Sequence, residues 1–106
     1  MSIEFHPVAK VADVATDSMI NVVVGDRDIA LVNLRGTFYA IGGICTHGAA
    51  LLAEGYIEGD VVECPQHAGT FDIKTGRAVA YPCTVDVPAY EVRVDGDIVA
   101  VGIDTP

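Results

Sequence analysis

The sequence lacks any apolar stretch long enough to cross a membrane, although 51% of its 106 residues are hydrophobic. Residues 19–24 are interrupted by Asn21, and residues 40–53 contain Thr46 and His47. Neither stretch approaches the roughly 18 to 20 apolar residues of a spanning helix. The N-terminal residues MSIEFHP also lack a basic region followed by an apolar core, so we expect no signal peptide. These absences predict a soluble cytoplasmic domain without a membrane partner.

Basic residues are scarce, because six Lys and Arg stand against fifteen Asp and Glu, for a net charge of −9. Phosphate contacts need Lys and Arg, so we expect no nucleic-acid partner. Residues 36–73 contain no Lys or Arg, whereas Glu54, Glu58, Asp60 and Glu63 all fall inside this interval. The acidic excess either keeps the protein soluble or matches a partner with a basic docking face.

Internal repeats, low-complexity tracts and linkers are absent, so the chain is predicted to form one domain over residues 1–106. Short β-type runs separated by glycine turns dominate the pattern. We expect strands at residues 3–11, 19–24, 28–34, 37–41, 60–63, 70–73, 90–94 and 97–101. The expected hairpin turns are residues 25–27 and 95–96, and residues 49–54 have the composition of about one helical turn. This spacing predicts an all-β antiparallel barrel or sandwich.

Cysteine is also scarce, and an odd number of three does not make a disulfide framework. The chain contains instead two matched motifs, C-T-H at residues 45–47 and C-P-Q-H at residues 64–67. Each motif offers one thiolate and one imidazole, from Cys45 and His47 and from Cys64 and His67, which suit iron, zinc and iron–sulfur clusters. A single Cys or His is commonly a buried thiol or a core histidine, but two matched pairs in glycine-bearing loops predict a metal site.

Zinc, a catalytic thiol and a two-iron cluster are the candidates for these motifs. Structural zinc sites commonly use C-x₂₋₄-C and H-x₃₋₅-H spacings, whereas each half here mixes the two ligand types. A cysteine nucleophile needs one activating imidazole and leaves the duplication unexplained. A [2Fe–2S] centre with two histidines on one iron and two cysteines on the other, the Rieske type, accounts for both halves.

The motif pair resembles the Rieske signature C-x-H…C-x-x-H, and the likeness extends beyond it. The segments GYIEGDVVEC and HAGTFDIKTGRA resemble the ferredoxin components of bacterial aromatic-ring-hydroxylating dioxygenase systems. By this resemblance, Cys45 and Cys64 bind one buried iron, and His47 and His67 bind the outer, reducible iron. The resemblance also implies a Rieske fold, with an antiparallel sandwich or barrel base and a small cluster-binding subdomain at about residues 43–72.

The resemblance implies a function as well: a low-potential one-electron carrier with one [2Fe–2S] cluster per chain and no substrate chemistry of its own. The implied donor is a flavin-dependent ferredoxin reductase, and the implied acceptor is a terminal Rieske non-haem iron oxygenase of aromatic hydrocarbon catabolism. We expect a monomer. The alternative is a Rieske-type small subunit of a reductase such as nitrite reductase.

Residues around the motifs predict the low potential. High-potential relatives have a disulfide between the ligand loops and hydroxyl donors to sulfur, whereas the matching positions here are Ala50, Gln66, Gly69 and Phe71. Fewer hydrogen bonds to sulfur lower the potential. We therefore expect a midpoint near the bottom of the Rieske range of roughly −150 to +300 mV.

Three neighbouring features complete the predictions. Cys83 is expected to be a small buried residue and not a ligand. Residues 80–82 resemble the third loop of the family, which covers the cluster with a proline, or form a generic turn. Residues 49–52 and Ala68 either form an apolar docking tip or pack inward beneath the loop.

Overall fold

The computed structural model describes residues 2–46, 50–66, 69–80 and 85–105, and strands dominate these ranges. Their bounds are β1 Ser2–Lys10, β2 Ser18–Val24, β3 Arg27–Leu34, β4 Thr37–Gly42, β5 Tyr56–Glu58, β6 Val61–Glu63, β7 Thr70–Asp72, β8 Ala78–Ala80, β9 Ala89–Asp95 and β10 Ile98–Thr105. Short 3₁₀ turns occur at Val11–Asp13 and Leu52–Glu54. The predicted all-β class is confirmed. No helix in the described part of the chain is long and apolar enough to cross a membrane.

The strands form two antiparallel sheets. The larger sheet has the order β1-β10-β9-β4-β3-β2, and the smaller has the order β5-β6-β7-β8. The larger sheet curls until its two edge strands, β1 and β2, contact each other, which makes an open barrel. The edge position of β1 suits its Pro7, since proline within a sheet is confined to edge strands and bulges. The smaller sheet is inserted in the chain between β4 and β9, and both cysteine motifs lie in this insertion.

Strand β3 separates two apolar cores, because successive side chains of a strand point to opposite faces. Ile29 and Leu31 point into the barrel, where they pack with residues of β2 and β10. Ala30, Val32 and Leu34 point to the other side and form a second core with the smaller sheet. Burial on both faces explains why β3 is an almost continuous apolar run in the sequence.

The turn between β9 and β10 lies one residue later than predicted. The ladder pairs Asp95 with Ile98, so the two turn residues are Gly96 and Asp97. Gly96 has φ of +63°, the same value as Gly25 at the first position of the β2–β3 turn. Glycine tolerates this left-handed conformation without a Cβ penalty, so the glycine sets the position of the turn. The three-residue strands β5 and β8 were not predicted.

Candidate metal centre

Ligand loop 1, residues 43–52, leaves β4 and contains Cys45. At its base, the Leu52 amide donates a hydrogen bond to the Gly43 carbonyl at 2.8 Å. Nearer the tip, the Cys45 amide donates to the Ala50 carbonyl at 2.9 Å. Cys45 is 2% exposed, so the loop holds this side chain in the protein interior.

Ligand loop 2, residues 64–69, follows β6 and has the same closure. The Cys64 amide donates to the Gly69 carbonyl at 2.8 Å, and Cys64 is 1% exposed. In each loop the cysteine amide therefore bonds to the carbonyl five residues later. The two motifs, matched in sequence, are also matched in backbone geometry at their cysteine ends.

Cys45 and Cys64 belong to one apolar cluster, which fills the space between the two sheets. Phe71 and Leu52, both fully buried, belong to the same cluster. The histidine ends of the motifs lie outside the described residues, as do Gly48, Ala49, Ala68, Tyr81, Pro82 and Cys83. The four-ligand set Cys45, His47, Cys64 and His67 therefore stays a prediction, as does the interior position of Cys83.

The donor chemistry of the described residues fits an iron–sulfur cluster. No group of three or more His, Cys, Asp and Glu side chains is assembled within residues 2–46, 50–66, 69–80 and 85–105. His47 and His67, the other two predicted ligands, lie outside these ranges. Thiolates in an apolar setting suit iron–sulfur clusters, whereas hard cations prefer oxygen ligands.

Gly55 follows ligand loop 1 by three residues and lies against the start of ligand loop 2. A Cβ at this position would lie 2.0 Å from the Glu63 carbonyl oxygen and 3.1 Å from the Pro65 Cδ. These two residues flank Cys64, so the close approach helps to set the position of the second cysteine. In the sequence, Gly55 merely follows the predicted helical turn of residues 49–54, because the carbonyl that it contacts is close only in space.

Residues 85–88, here named the strap, connect the smaller sheet back to the barrel. No pattern in the sequence pointed to this segment. Each of its four residues makes a hydrogen bond to an element far from it in the chain. The bonds are Thr46 Oγ1 to Val85 O at 2.6 Å, Ala78 N to Asp86 Oδ1 at 2.8 Å, Val87 N to Gly76 O at 2.9 Å and Gly42 N to Pro88 O at 2.7 Å. The strap therefore contacts β4, ligand loop 1 and the β7–β8 hairpin together.

An ion pair joins the barrel to the smaller sheet on the surface. Arg35, in the β3–β4 turn, donates from Nη2 to Asp60 Oδ1, and Lys74 Nζ lies 4.0 Å from Asp60 Oδ2. The hydrogen bond from Arg35 lowers the pKa of Asp60, and the charge of Lys74 lowers it further. Asp60 is thus paired with cations that are distant in sequence. Glu54 and Glu58, from the same acidic interval, are exposed carboxylates.

The apolar residues of ligand loop 1 mainly pack inward. Leu52 is fully buried and Ala50 is 7% exposed, while Leu51 is half-buried. Among the described residues, Ile44 of this loop is 40% exposed and Val85 of the strap is 61% exposed. Of the two readings of residues 49–52, inward packing is correct for Ala50 and Leu52, and Ala49 and Ala68 lie outside the described residues.

The family model described as Rieske [2Fe-2S] domain matches residues 4–91. The chain belongs to the Rieske [2Fe–2S] family. One relative of this Rieske domain is the ferredoxin component of the naphthalene 1,2-dioxygenase/salicylate 5-hydroxylase systems of Ralstonia sp. It is 40% identical over 83 residues, which are 78% of this chain and 80% of that protein.

Solved structures agree with this membership. A chain in the complex of reduced oxygenase and oxidized ferredoxin of carbazole 1,9a-dioxygenase is 38% identical, with a TM-score of 0.85, over 92% of this chain and 91% of that one. A protein described as the putative NADH-dependent nitrite reductase small subunit of Mycobacterium tuberculosis has a TM-score of 0.89 at 19% identity, covering 100% of both chains. The second match shows the shared fold alone.

Membership in the family supplies the cofactor that the motifs predicted, one [2Fe–2S] cluster. It decides against the zinc module and the cysteine nucleophile as readings of residues 45–67. The buried pair Cys45 and Cys64 is the part of the predicted ligand set that the described residues contain.

Proposed function

We propose that this Rieske domain is a one-electron carrier of a bacterial ring-hydroxylating dioxygenase system. The observation that carries the proposal is the pair of loops closed alike around Cys45 and Cys64, in a chain 40% identical to a dioxygenase ferredoxin component. When bound, the [2Fe–2S] cluster accepts and returns one electron at a time. In this assignment Cys45 and Cys64 bind one iron, and His47 and His67 bind the other.

The donor in this proposal is a flavin-dependent ferredoxin reductase, and the acceptor is a terminal Rieske non-haem iron oxygenase. Support for the acceptor comes from the carbazole 1,9a-dioxygenase complex, whose name pairs an oxygenase with a ferredoxin. Support for a docking role comes from the exposed Glu54 and Glu58 on the smaller sheet and its approach, with Ile44 and Val85 beside ligand loop 1. Acidic groups of this kind speed the encounter with a basic partner surface.

The low potential that belongs to this role has support in the core around the cysteines. Phe71 is fully buried in the same cluster as both cysteines and has no hydroxyl to donate. Ala50 and Gly69 offer their backbone carbonyls to the cysteine amides, and neither has a polar side chain. We infer a midpoint near the lower end of the range of roughly −150 to +300 mV.

We also infer that the chain performs no substrate chemistry itself and acts as a cytoplasmic monomer. Its fold is shared with the nitrite reductase small subunit, but at 19% identity, against 38% and 40% for the two dioxygenase ferredoxins compared above. The dioxygenase role is therefore the better supported of the two.

Electron paramagnetic resonance of the dithionite-reduced protein, with iron and sulfide analysis, tests the cofactor assignment. The expected result is a rhombic signal of low average g with two irons and two sulfides per chain. Stopped-flow reduction by a reductase, followed by reoxidation by a terminal oxygenase, then tests the role. A colourless protein without the signal, or a midpoint clearly above zero, would overturn the corresponding part of the proposal.

A further inference from the structure

Two of the four bonds made by the strap depend on side chains, and both of these side chains are exposed. The Thr46 hydroxyl donates to the Val85 carbonyl at 2.6 Å, and the Asp86 carboxylate accepts from the Ala78 amide at 2.8 Å. A backbone bond is retained when a side chain is replaced, but these two bonds require a hydroxyl at residue 46 and an acceptor at residue 86. They are therefore the points at which the sequence itself determines how the strap is held.

The two bonds lie in one path of contacts between the ligand loops. Thr46 directly follows Cys45 in ligand loop 1, and its partner Val85 precedes Asp86 in the strap. The Asp86 carboxylate accepts a hydrogen bond from the amide of Ala78, the first residue of β8. The last residue of β8, Ala80, pairs with Thr70 of β7. Thr70 directly follows Gly69, the residue that closes ligand loop 2. The path thus begins beside one buried cysteine and ends at the loop of the other.

We propose that Thr46 and Asp86 are positioning residues that together fix the spacing of the two ligand loops. This inference rests on the proposed role of Cys45 and Cys64 as ligands. Metal–ligand distances must be held within a few tenths of an ångström, so a loosened path between the loops weakens the hold on the cofactor. Neither residue touches the iron in this proposal, because each acts through the strap.

The arrangement of the two bonds in series predicts a specific pattern of rates. Loss of either bond should speed release of the cluster to a chelator about fivefold, the worth of one net hydrogen bond. Because both bonds belong to the same path, losing the second adds little, and the double variant should also release about fivefold faster. If the two bonds acted independently, the effects of losing them would multiply, and the double variant would release the cluster about 25-fold faster.

The test uses the cluster-loaded protein and follows the loss of visible absorbance with excess chelator. Thr46→Val and Asp86→Ala remove the donor and the acceptor, and the two substitutions are also combined. Thr46→Ser keeps the hydroxyl and Asp86→Asn keeps an acceptor oxygen, so both should release at the rate of the unmodified protein. If Thr46→Val fails to fold, the release rates of Asp86→Ala and Asp86→Asn are compared instead, and only Asp86→Ala should be faster than the unmodified protein.

Two controls are matched to the bonds in question. The Ser18 hydroxyl donates to the Ala15 carbonyl at 2.6 Å, and the Asp13 carboxylate accepts from the Lys10 amide at 2.9 Å. Both bonds are local to the segment between β1 and the start of β2, and neither joins this segment to a ligand loop or to the strap. Ser18→Ala and Asp13→Ala should leave the release rate within twofold of the unmodified protein.

The resonance signal of the reduced protein separates positioning from simple loss of stability. Thr46→Val and Asp86→Ala should broaden or shift this signal, whereas Ser18→Ala should lower only the thermal midpoint. The inference would be overturned if Thr46→Val or Asp86→Ala left both the release rate and the signal unchanged. It would also be overturned if Ser18→Ala had an equal effect, or if the effects of the two substitutions on the release rate multiplied in the double variant. None of these measurements uses a redox partner. The inference about Thr46 and Asp86 can therefore fail while electron transfer to the oxygenase succeeds, and it can hold while electron transfer fails.

Discussion

Replacement of Gly55 by Ala should disturb the second cysteine without touching it. The new Cβ would lie 2.0 Å from the Glu63 carbonyl oxygen, which is backbone and cannot turn aside as a side chain would. Overpacking of this kind costs typically about 1–3 kcal/mol. For a domain of this size, each kcal/mol lowers the thermal midpoint by about 4–8 °C, so we expect a loss of roughly 5–20 °C.

The more specific consequence concerns the cofactor. Glu63 and Pro65 flank Cys64, so a shift of the chain at Gly55 moves the cysteine away from its place in the core. We therefore expect Gly55→Ala to be purified with clearly less than two irons and two sulfides per chain. Iron and sulfide analysis and the visible spectrum measure this loss, and circular dichroism measures the midpoint.

Gly59→Ala is the matched control, because it makes the same change in the turn between β5 and β6. Gly59 has open space around the position of a Cβ, but its φ is +59°. The left-handed conformation costs alanine about 1–2 kcal/mol, so the midpoint should fall by roughly 5–15 °C. The cluster content should stay full. A fully loaded Gly55→Ala protein, no less stable than Gly59→Ala, would refute the close-contact reasoning.

Three further substitutions test the potential, the surface ion pair and docking. Phe71→Tyr adds a hydroxyl inside the core that contains both cysteines, so a redox titration should show a more positive midpoint. Arg35→Ala removes the main cause of the lowered pKa of Asp60, so a carboxyl NMR titration should show this pKa rising towards its ordinary value of 3.8. The ion pair stabilises the fold above that ordinary pKa, and its contribution is lost as pH falls through the lowered one. Glu54→Gln with Glu58→Gln should slow association with a terminal oxygenase severalfold at low salt, and high salt should abolish the difference.

Each of these three has a control within the chain. Phe38→Tyr places the same hydroxyl on a partly buried ring that packs against the barrel core, and it should leave the midpoint potential unchanged. Lys74→Ala should raise the pKa of Asp60 less than Arg35→Ala does, since its ammonium lies 4.0 Å away. Asp95→Asn removes a charge at the β9–β10 turn and should leave oxygenase association unchanged. The reasoning would be contradicted by an unchanged midpoint potential in Phe71→Tyr or an unchanged pKa of Asp60 in Arg35→Ala. For docking, it would be contradicted if the effect of Glu54→Gln with Glu58→Gln on association did not depend on salt.

The turns and strands show how far local pattern reaches. Strands β2, β3 and β4 were predicted within about one residue, because apolar runs and glycine turns are local signals. Strands β5 and β8 escaped prediction although the equally short β6 and β7 were predicted, so strand length alone does not account for the difference. The β9–β10 turn was placed one residue early, because the Asp-Gly pair does not show which turn position takes the positive φ.

The amino-acid sequence by itself determined the cofactor, since C-T-H and C-P-Q-H supply thiolate and imidazole in a spacing specific to Rieske clusters. It also determined the all-β class and, through Ala50, Gln66, Gly69 and Phe71, the expectation of a low potential. These properties depend on which chemical groups are present, and residue identity states that directly.

Only the tertiary structure decided how the two motifs are held relative to each other. The hydrogen bond from Thr46 to Val85 spans 39 positions of the chain, and Gly55 matters because of a carbonyl eight residues away. The structure also paired Asp60 with Arg35, which the run of acidic residues did not reveal. Contacts of this kind arise from the curl of the barrel and the packing of the smaller sheet on it, and no local periodicity records which residues meet.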